Sequence, residues 1–504
     1  MLGVPHILTA REVAPLPDVA PLQEVALAHC KNHSMATQVT PPRGMRDFLP
    51  ADKARRERIL GIIRHSYAAH GFDEIETPVM EESDRLHAGL GGDNEKLAYA
   101  VMKRGLTAND LSAATEPLGL ADLGLRFDLT VPLARFYATH RGQLPTVFRS
   151  IQIAPVWRAE KPQKGRYRQF VQCDIDIIGE AGPIAEVELL SATAATLDAL
   201  GLEGCVIRVN DRRLLISALT IFGFASEQHE GVLITLDKLD KIGQDGVIAE
   251  LRERAYPDGP VAALEEFFRR PMTMEYLSFG EAAIRKFLPQ GVDPVAVAEL
   301  AAIGLAVEEG RGTGLAVEEG RGTGLAVEEG HGTGLAVEAG RGTGHDSVGA
   351  PHIQFDPWLV RGMGYYTGAI FEVVHPSLGY SLGGGGRYDG MIGRFLGTDV
   401  PAAGFSLGFE RIVDLVNLAE RDGADAPTAV VLIHDDAVPP ALLVALQSAL
   451  VGKGTRTRLE RKPRNMAPLL DQLSRSGFTA YAFVDAASTA ETLEFRPIAS
   501  TQGQ

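Results

Sequence analysis

From Arg43 onward, apolar and polar positions fall into recognisable periods. A charged stretch to about His70 has helical spacing, and the run FDEIETP (72–78) after it is short and strand-like. Residues 120–210 alternate strand-like with helix-like segments, and 211–303 read as mainly helical, with apolar and charged residues mixed at short spacing. Residues 355–420 are glycine-dense and strand-like. From Pro427 the pattern becomes βαβ: a strand over 430–434, a helix near 439–452, a strand over 455–460, a helix near 466–476 and a strand over 479–484.

Two segments break these periods. Residues 1–40 contain Pro5, Pro15, Pro17 and Pro21 without sustained periodicity, which predicts a poorly ordered extension, with Met35 a candidate for the real start. Residues 304–343 are four near-identical decapeptides, GLAVEEGRGT twice and then two variants carrying His331 and Ala339. Three glycines per unit work against a stable helix, and a period of ten matches neither heptads nor solenoid repeats. The expectation is a flexible insertion produced by tandem duplication in a tolerant surface loop, with a binding array as the alternative.

A length of 504 residues suggests about three domains. With 45% apolar and 23% charged residues the chain has the makeup of a soluble globular protein. Its net charge of −16 excludes binding of nucleic acid by overall charge, so any such contact needs a local basic surface. Residues 427–504 are the part least repelled by a polyanion: eight basic residues against seven acidic ones leave +1. Cys30, Cys173 and Cys205 show no metal-ligand spacing and no disulfide framework, which fits a reducing cytoplasm. No apolar run is long enough to cross a membrane, and no signal-peptide pattern opens the chain.

The chemistry concentrates in a few segments. In RAEKPQKGRYRQFVQCDIDIIG (158–179) two antiparallel strands are expected around a basic loop. Along the second strand Val171, Cys173, Ile175 and Ile177 share one face, while Gln172, Asp174 and Asp176 share the other. That polar row is either a solvated face or a buried one with partners. The preceding loop gathers Lys161, Lys164, Arg166 and Arg168 with Phe170, a combination suited to phosphate charge and base stacking. In DLTVPLAR (128–135), Asp128 and Thr130 precede an expected helix with Pro132 in its first turn, so helix capping and substrate binding are both open. VRGMGYYTGAIFE (360–372), GGGGRYDG (383–390) and GFSLGFER (404–411) combine glycines, which permit close backbone approach, with arginines suited to phosphate. Arginines at 158, 361 and 411 together point to a polyphosphate substrate.

These segments resemble the class II aminoacyl-tRNA synthetases, specifically the histidyl-tRNA synthetase family. FDEIETPVME (72–81) is similar to the first class motif, 158–170 to the second, 404–411 to the third, and VRGMGYYTG (360–368) to the signature of the histidine enzymes. The match spans about 41–303 and 350–500. The resemblance implies an α+β fold: a six-stranded antiparallel catalytic sheet in two parts (41–210 and 350–420), a mainly helical insertion domain (211–303) and a C-terminal α/β anticodon-binding domain (427–504). It also implies a homodimer built partly on the first motif. The implied reaction activates histidine with ATP and then transfers it to the terminal adenosine of tRNA(His), with magnesium accompanying ATP; no metal-ligating residue is assigned.

Carried over by position, the resemblance puts Arg158 on the α-phosphate and Glu160 on the adenine amino edge. Phe170 would stack on adenine, with Arg411 on its other side and near the γ-phosphate. Arg361 would stabilise charge developing at the α-phosphate. Asp128, Thr130 and Gln172 would hold the ammonium and carboxylate of histidine, and Asp176 with Tyr365 and Tyr366 would address its imidazole. Gly364 stands where many family members carry an acidic residue. The rival class is a non-catalytic relative, a regulatory subunit of histidine biosynthesis, expected to lose the phosphate-binding arginines and the C-terminal domain.

Overall fold

The structure, a computed structural model, describes residues 39–87, 97–163, 165–270, 279–312, 352–361, 364–418 and 429–498. The expected extension therefore lies outside the described residues up to position 38, as do repeat residues 313–343.

The main sheet has six antiparallel strands in the order Phe148–Trp157, Gln169–Ile178, Ala402–Gly408, Gly383–Arg387, Ala369–Val374 and Val206–Asp211. One parallel strand extends each edge, Asp73–Glu74 beside Phe148–Trp157 and His352–Phe355 beside Val206–Asp211. The expected six-stranded antiparallel core is present, and the full sheet has eight strands. The hairpin expected inside 158–179 begins earlier: its first strand is Phe148–Trp157, and 158–168 forms the connecting loop.

Period-two alternation gives this sheet its apolar face. Ile151, Cys173, Ile175, Ile177, Phe371, Phe405 and Leu407 are buried in one core cluster. Against it pack helices Pro50–Ala69 and Ile184–Ala199. Helix Pro50–Ala69 contributes Arg56, Ile59, Leu60, Ile63 and Tyr67, the three- and four-residue spacing of a single helical stripe. The central strand Gly383–Arg387 is mostly glycine, a weak strand former. Its place follows from what flanks it: Gly385 pairs with both Phe405 and Phe371, whose rings stack 5.7 Å apart across it.

The insertion is helical as expected, from Arg212–Phe222 to Pro294–Gly312. That last helix corrects the repeat boundary, because it continues through the first decapeptide copy as far as Gly312. Ile303 and Val307 are buried in the main core, and a Cβ on Gly304 would stand 1.8 Å from the Phe279 ring. Glycine at 304 is thus what lets the helix approach Phe279, and tertiary packing overrides its weak helix propensity.

The C-terminal unit has parallel strands Arg456–Arg461, Ala429–His434 and Ala480–Val484 in that order, plus Arg496–Pro497 antiparallel at one edge. Val430 and Leu432 pack with helix Pro440–Val451 on one face, and Val431 and Ile433 with helix Met466–Arg475 on the other. This is the expected α/β pattern.

Candidate active site

The polar face of strand Gln169–Ile178 is buried, so the solvated-face alternative fails. Gln172, Asp174 and Asp176 are each under one-tenth exposed and line a cavity of about 1480 Å³. Room for them comes from glycine on the neighbouring strand, since a Cβ on Gly404 would meet Asp176 Oδ1 at 1.9 Å. Gly384 likewise makes space for Arg361, whose Cζ lies 2.6 Å from the position of its missing Cβ. The glycines serve the protein's own site side chains.

Asp176 Oδ1 accepts a hydrogen bond from the Tyr388 hydroxyl at 2.6 Å. Burial pushes the Asp176 carboxyl up to about 7; the Tyr388 bond opposes that shift and nearby Asp128 reinforces it. Burial likewise raises Asp128, against the pull of Arg158 and a hydrogen bond from the Val131 amide at 3.3 Å. Asp128 therefore caps helix Thr130–His140 and also lines the cavity with Thr130. The bond from the Val131 amide favours the capping alternative for Asp128.

The three arginines converge on the same cavity. Arg158 donates to the Phe127 carbonyl at 2.9 Å, with its guanidinium 5.1 Å above the Phe170 ring. Arg411 is held by the carbonyls of Gly165 and Ser381 and lies 5.1 Å above Tyr380. Burial and then repulsion from Arg166 lower its pKa, an imbalance that a bound anion would relieve. Arg361 donates to Glu372 Oε1 at 2.8 Å, while its buried Nε has no partner among the described residues. Burial disfavours the Arg361 charge, but Tyr366, Glu372 and Asp237 outweigh it.

The eleven residues to which the resemblance gives a ligand role all line this one cavity: Asp128, Thr130, Arg158, Glu160, Phe170, Gln172, Asp176, Arg361, Tyr365, Tyr366 and Arg411; of the basic loop, Lys161 and Arg166 line it too, while Arg168 instead donates to the Glu160 carbonyl. The phenol bonded to Asp176 belongs to Tyr388, while Tyr366 interacts with Arg361 and Tyr365. The guanidinium over Phe170 is that of Arg158. Sequence reasoning assigned no role to Asp174, Glu372, Tyr380 or Tyr388. Tyr388 stood within the glycine motif 383–390, and Asp174 on the polar strand face, so both carried a signal. Gly364 lies beside a carboxylate from the insertion: its Cβ position is 2.9 Å from Glu230 Oε1, and Glu230 is paired with Arg212 at 2.8 Å.

A family model described as histidyl-tRNA synthetase matches residues 44–277 and 344–412. The chain belongs to the histidyl-tRNA synthetase family. A histidine–tRNA ligase of Leifsonia xyli is 54% identical over 92% of this chain and 99% of its own length. A probable histidine–tRNA ligase of Tropheryma whipplei is 41% identical over 90% of this chain and 98% of its own. The histidyl-tRNA synthetase of Nostoc sp. PCC 7120 superposes with a TM-score of 0.64, at 23% identity over 91% of this chain and 94% of that one. A protein of Bacillus halodurans described as ATP phosphoribosyltransferase regulatory subunit/histidyl-tRNA synthetase superposes at 0.63, with 19% identity over 89% of this chain and 97% of that one. These two likenesses support the shared fold. The whole repeat array, 304–343, falls between the two segments that the family model matches.

Proposed function

We propose that this chain joins histidine to tRNA(His) through a histidyl-adenylate. The observation that carries the reading is the convergence of Arg158, Arg361 and Arg411 with the buried polar strand face in one cavity. A histidine carboxylate oxygen attacks the α-phosphorus of ATP and pyrophosphate departs. A ribose hydroxyl of the tRNA's terminal adenosine then attacks the acyl carbon and AMP departs. Arg158 holds the α-phosphate, Arg411 the γ-phosphate, and Arg361 stabilises charge that develops in the transition state. Phe170 stacks on adenine and Glu160 accepts from its amino group. Asp128, Thr130 and Gln172 hold the polar end of histidine. Asp176, oriented by Tyr388, addresses the imidazole with Tyr365 and Tyr366 close by, and a side chain lacking ring nitrogens would leave that buried carboxyl unpaired.

Magnesium enters as the counter-ion of ATP. Among the described residues no group of three or more His, Cys, Asp or Glu side chains is placed to hold a metal ion. The setting is a cytoplasmic homodimer; among the described residues no helix is long and apolar enough to cross a membrane.

The regulatory-subunit alternative shares the fold but has no need of three converging arginines. Pyrophosphate exchange into ATP with a panel of amino acids decides between them. Exchange should occur with histidine alone, and its absence in folded protein would sink the ligase reading.

A further inference from the structure

The guanidinium of Arg361 is held in place by residues that have no part in the substrate contacts assigned above. We infer that Arg208 is a positioning residue for Arg361: it engages one oxygen of Glu372 so that only the other is left for Arg361, and through Asp240 it ties that arrangement to the helical insertion. The inference rests on the proposal that this cavity forms histidyl-adenylate.

The sheet builds the arrangement. Glu372, on strand Ala369–Val374, stands directly opposite Arg208 on one neighbouring strand and opposite Gly384 on the other. Side chains in such a cross-strand row share a face and reach one another. Glycine at 384 leaves the room that the Arg361 guanidinium occupies, so Arg208, Glu372 and Arg361 follow one another along the row. Glu372 accepts from Arg361 Nη1 at Oε1, 2.8 Å away, and from Arg208 Nη2 at Oε2. Arg208 is fixed in turn by Asp356 Oδ2 at 3.2 Å and Asp240 Oδ2 at 2.8 Å. Asp240 belongs to helix Leu239–Glu253 of the insertion, so the row that starts at Arg361 ends outside the core sheet.

A carboxylate that meets one guanidinium alone tends to close two parallel hydrogen bonds with it. That pairing would occupy a second donor of Arg361 and bring its charge closer to neutral. Sharing Glu372 with Arg208 prevents it. The result is visible at Arg361, whose buried Nε has no partner among the described residues and remains a donor for an oxygen of the reacting phosphate. A second insertion carboxylate, Asp237, follows helix Ser226–Leu236 and adds its charge near Arg361. The position of the insertion is thereby felt at the group that acts on the α-phosphate.

Pyrophosphate exchange on the full chain tests this. Arg208→Gln should lower kcat roughly 10- to 100-fold, the scale of a small misplacement of a catalytic group, with KM for histidine and for ATP within about three-fold. The decisive comparison is made in the Arg361→Ala background. There Arg208→Gln should cost less than about two-fold more, because the group it positions is gone. A general loosening of the fold would instead lower activity by the same factor in both backgrounds, and that result overturns the inference. So does a kcat for Arg208→Gln within about two-fold of the parent. Should Arg208→Gln melt early, Asp240→Asn, at a side chain that is 68% exposed, must show a smaller loss of kcat with the same non-additivity. A parent without histidine-dependent exchange overturns the ligase reading and this one with it; a parent that exchanges but shows additive losses overturns this one alone.

Discussion

Asp128, Asp174 and Asp176 place three carboxyl groups in a pocket that, without ligand, makes their ionisation unfavourable. Asp176 carries a worked consequence. Its carboxyl titrates at about 7 in the folded chain against about 3.9 when unfolded. Between those values the folded state holds the extra proton, so this group's contribution is complete below the unfolded value and is lost as pH rises through 7. Ligand-free Asp176→Asn, whose amide can still accept from Tyr388, should therefore be more stable than the parent at pH 8 by roughly 2 to 4 kcal/mol. The difference should vanish toward pH 4. Thermal melts across that range check it, and a gap independent of pH would contradict the titration. Arg361→Ala should slow histidine-dependent exchange by roughly 30- to 1000-fold, the scale of a lost oxyanion donor, with little change in histidine affinity. Glu372→Gln should fall in the same direction by less, because Glu372 acts through that guanidinium, which it holds with Oε1 while Oε2 pairs with Arg208. Spacing revealed the arginines, but not Glu372: it closes the same segment 360–372 that carries Arg361, and only the turn of the chain between them brings its carboxylate to that guanidinium.

Helix Pro294–Gly312 shows where element boundaries were illegible. Glycine frequency argued that 304–343 forms no helix, yet Val307 and Gly304 fit the core against Phe279. The contact is tertiary, and local propensity does not report it. The opposite holds for strand Gln169–Ile178, whose alternation was plain in the sequence because a period of two is a local property. The decapeptides all carry Gly and Val at the same offsets, as in Gly304 with Val307 and Gly334 with Val337. Deleting any three whole copies, 314–343 or 304–333, should therefore leave the melting temperature near that of the parent. Removing all four should lower stability by roughly 2 to 4 kcal/mol, since a buried valine and its helical turn leave the core. Equal melting temperatures for the two kinds of deletion would mean that the first copy contributes nothing.

Across the whole molecule, charge is divided unevenly, and the C-terminal unit carries +1 against −16 for the chain. The segment after Phe483 closes the unit: Arg496–Pro497 pairs with Ala480–Val484, and Ile498 packs with Leu473 and Phe478. This strand brings Arg496 to 5.6 Å from the ring of Phe483, and Lys462, directly after strand Arg456–Arg461, lies 5.1 Å from the same ring, which is 38% exposed. Arg456 and Arg458, by contrast, lie over Phe478, which is buried. An exposed ring between two cations combines stacking with phosphate attraction, so Phe483 is the position on this unit best suited to an unpaired tRNA base. Phe483→Ala should weaken tRNA binding roughly 5- to 100-fold, the range of one base–aromatic stack, while histidine-dependent pyrophosphate exchange stays unchanged because the residue is absent from the cavity lining. Neutralising Lys462 and Arg496 together should instead flatten the salt dependence of binding by up to about 0.7 to 0.9 log units per lost phosphate contact. The alanine variant, keeping both charges, should retain the parent's salt slope. Filter binding at several salt concentrations separates the two effects, and full tRNA affinity in Phe483→Ala would remove this ring from the RNA contact.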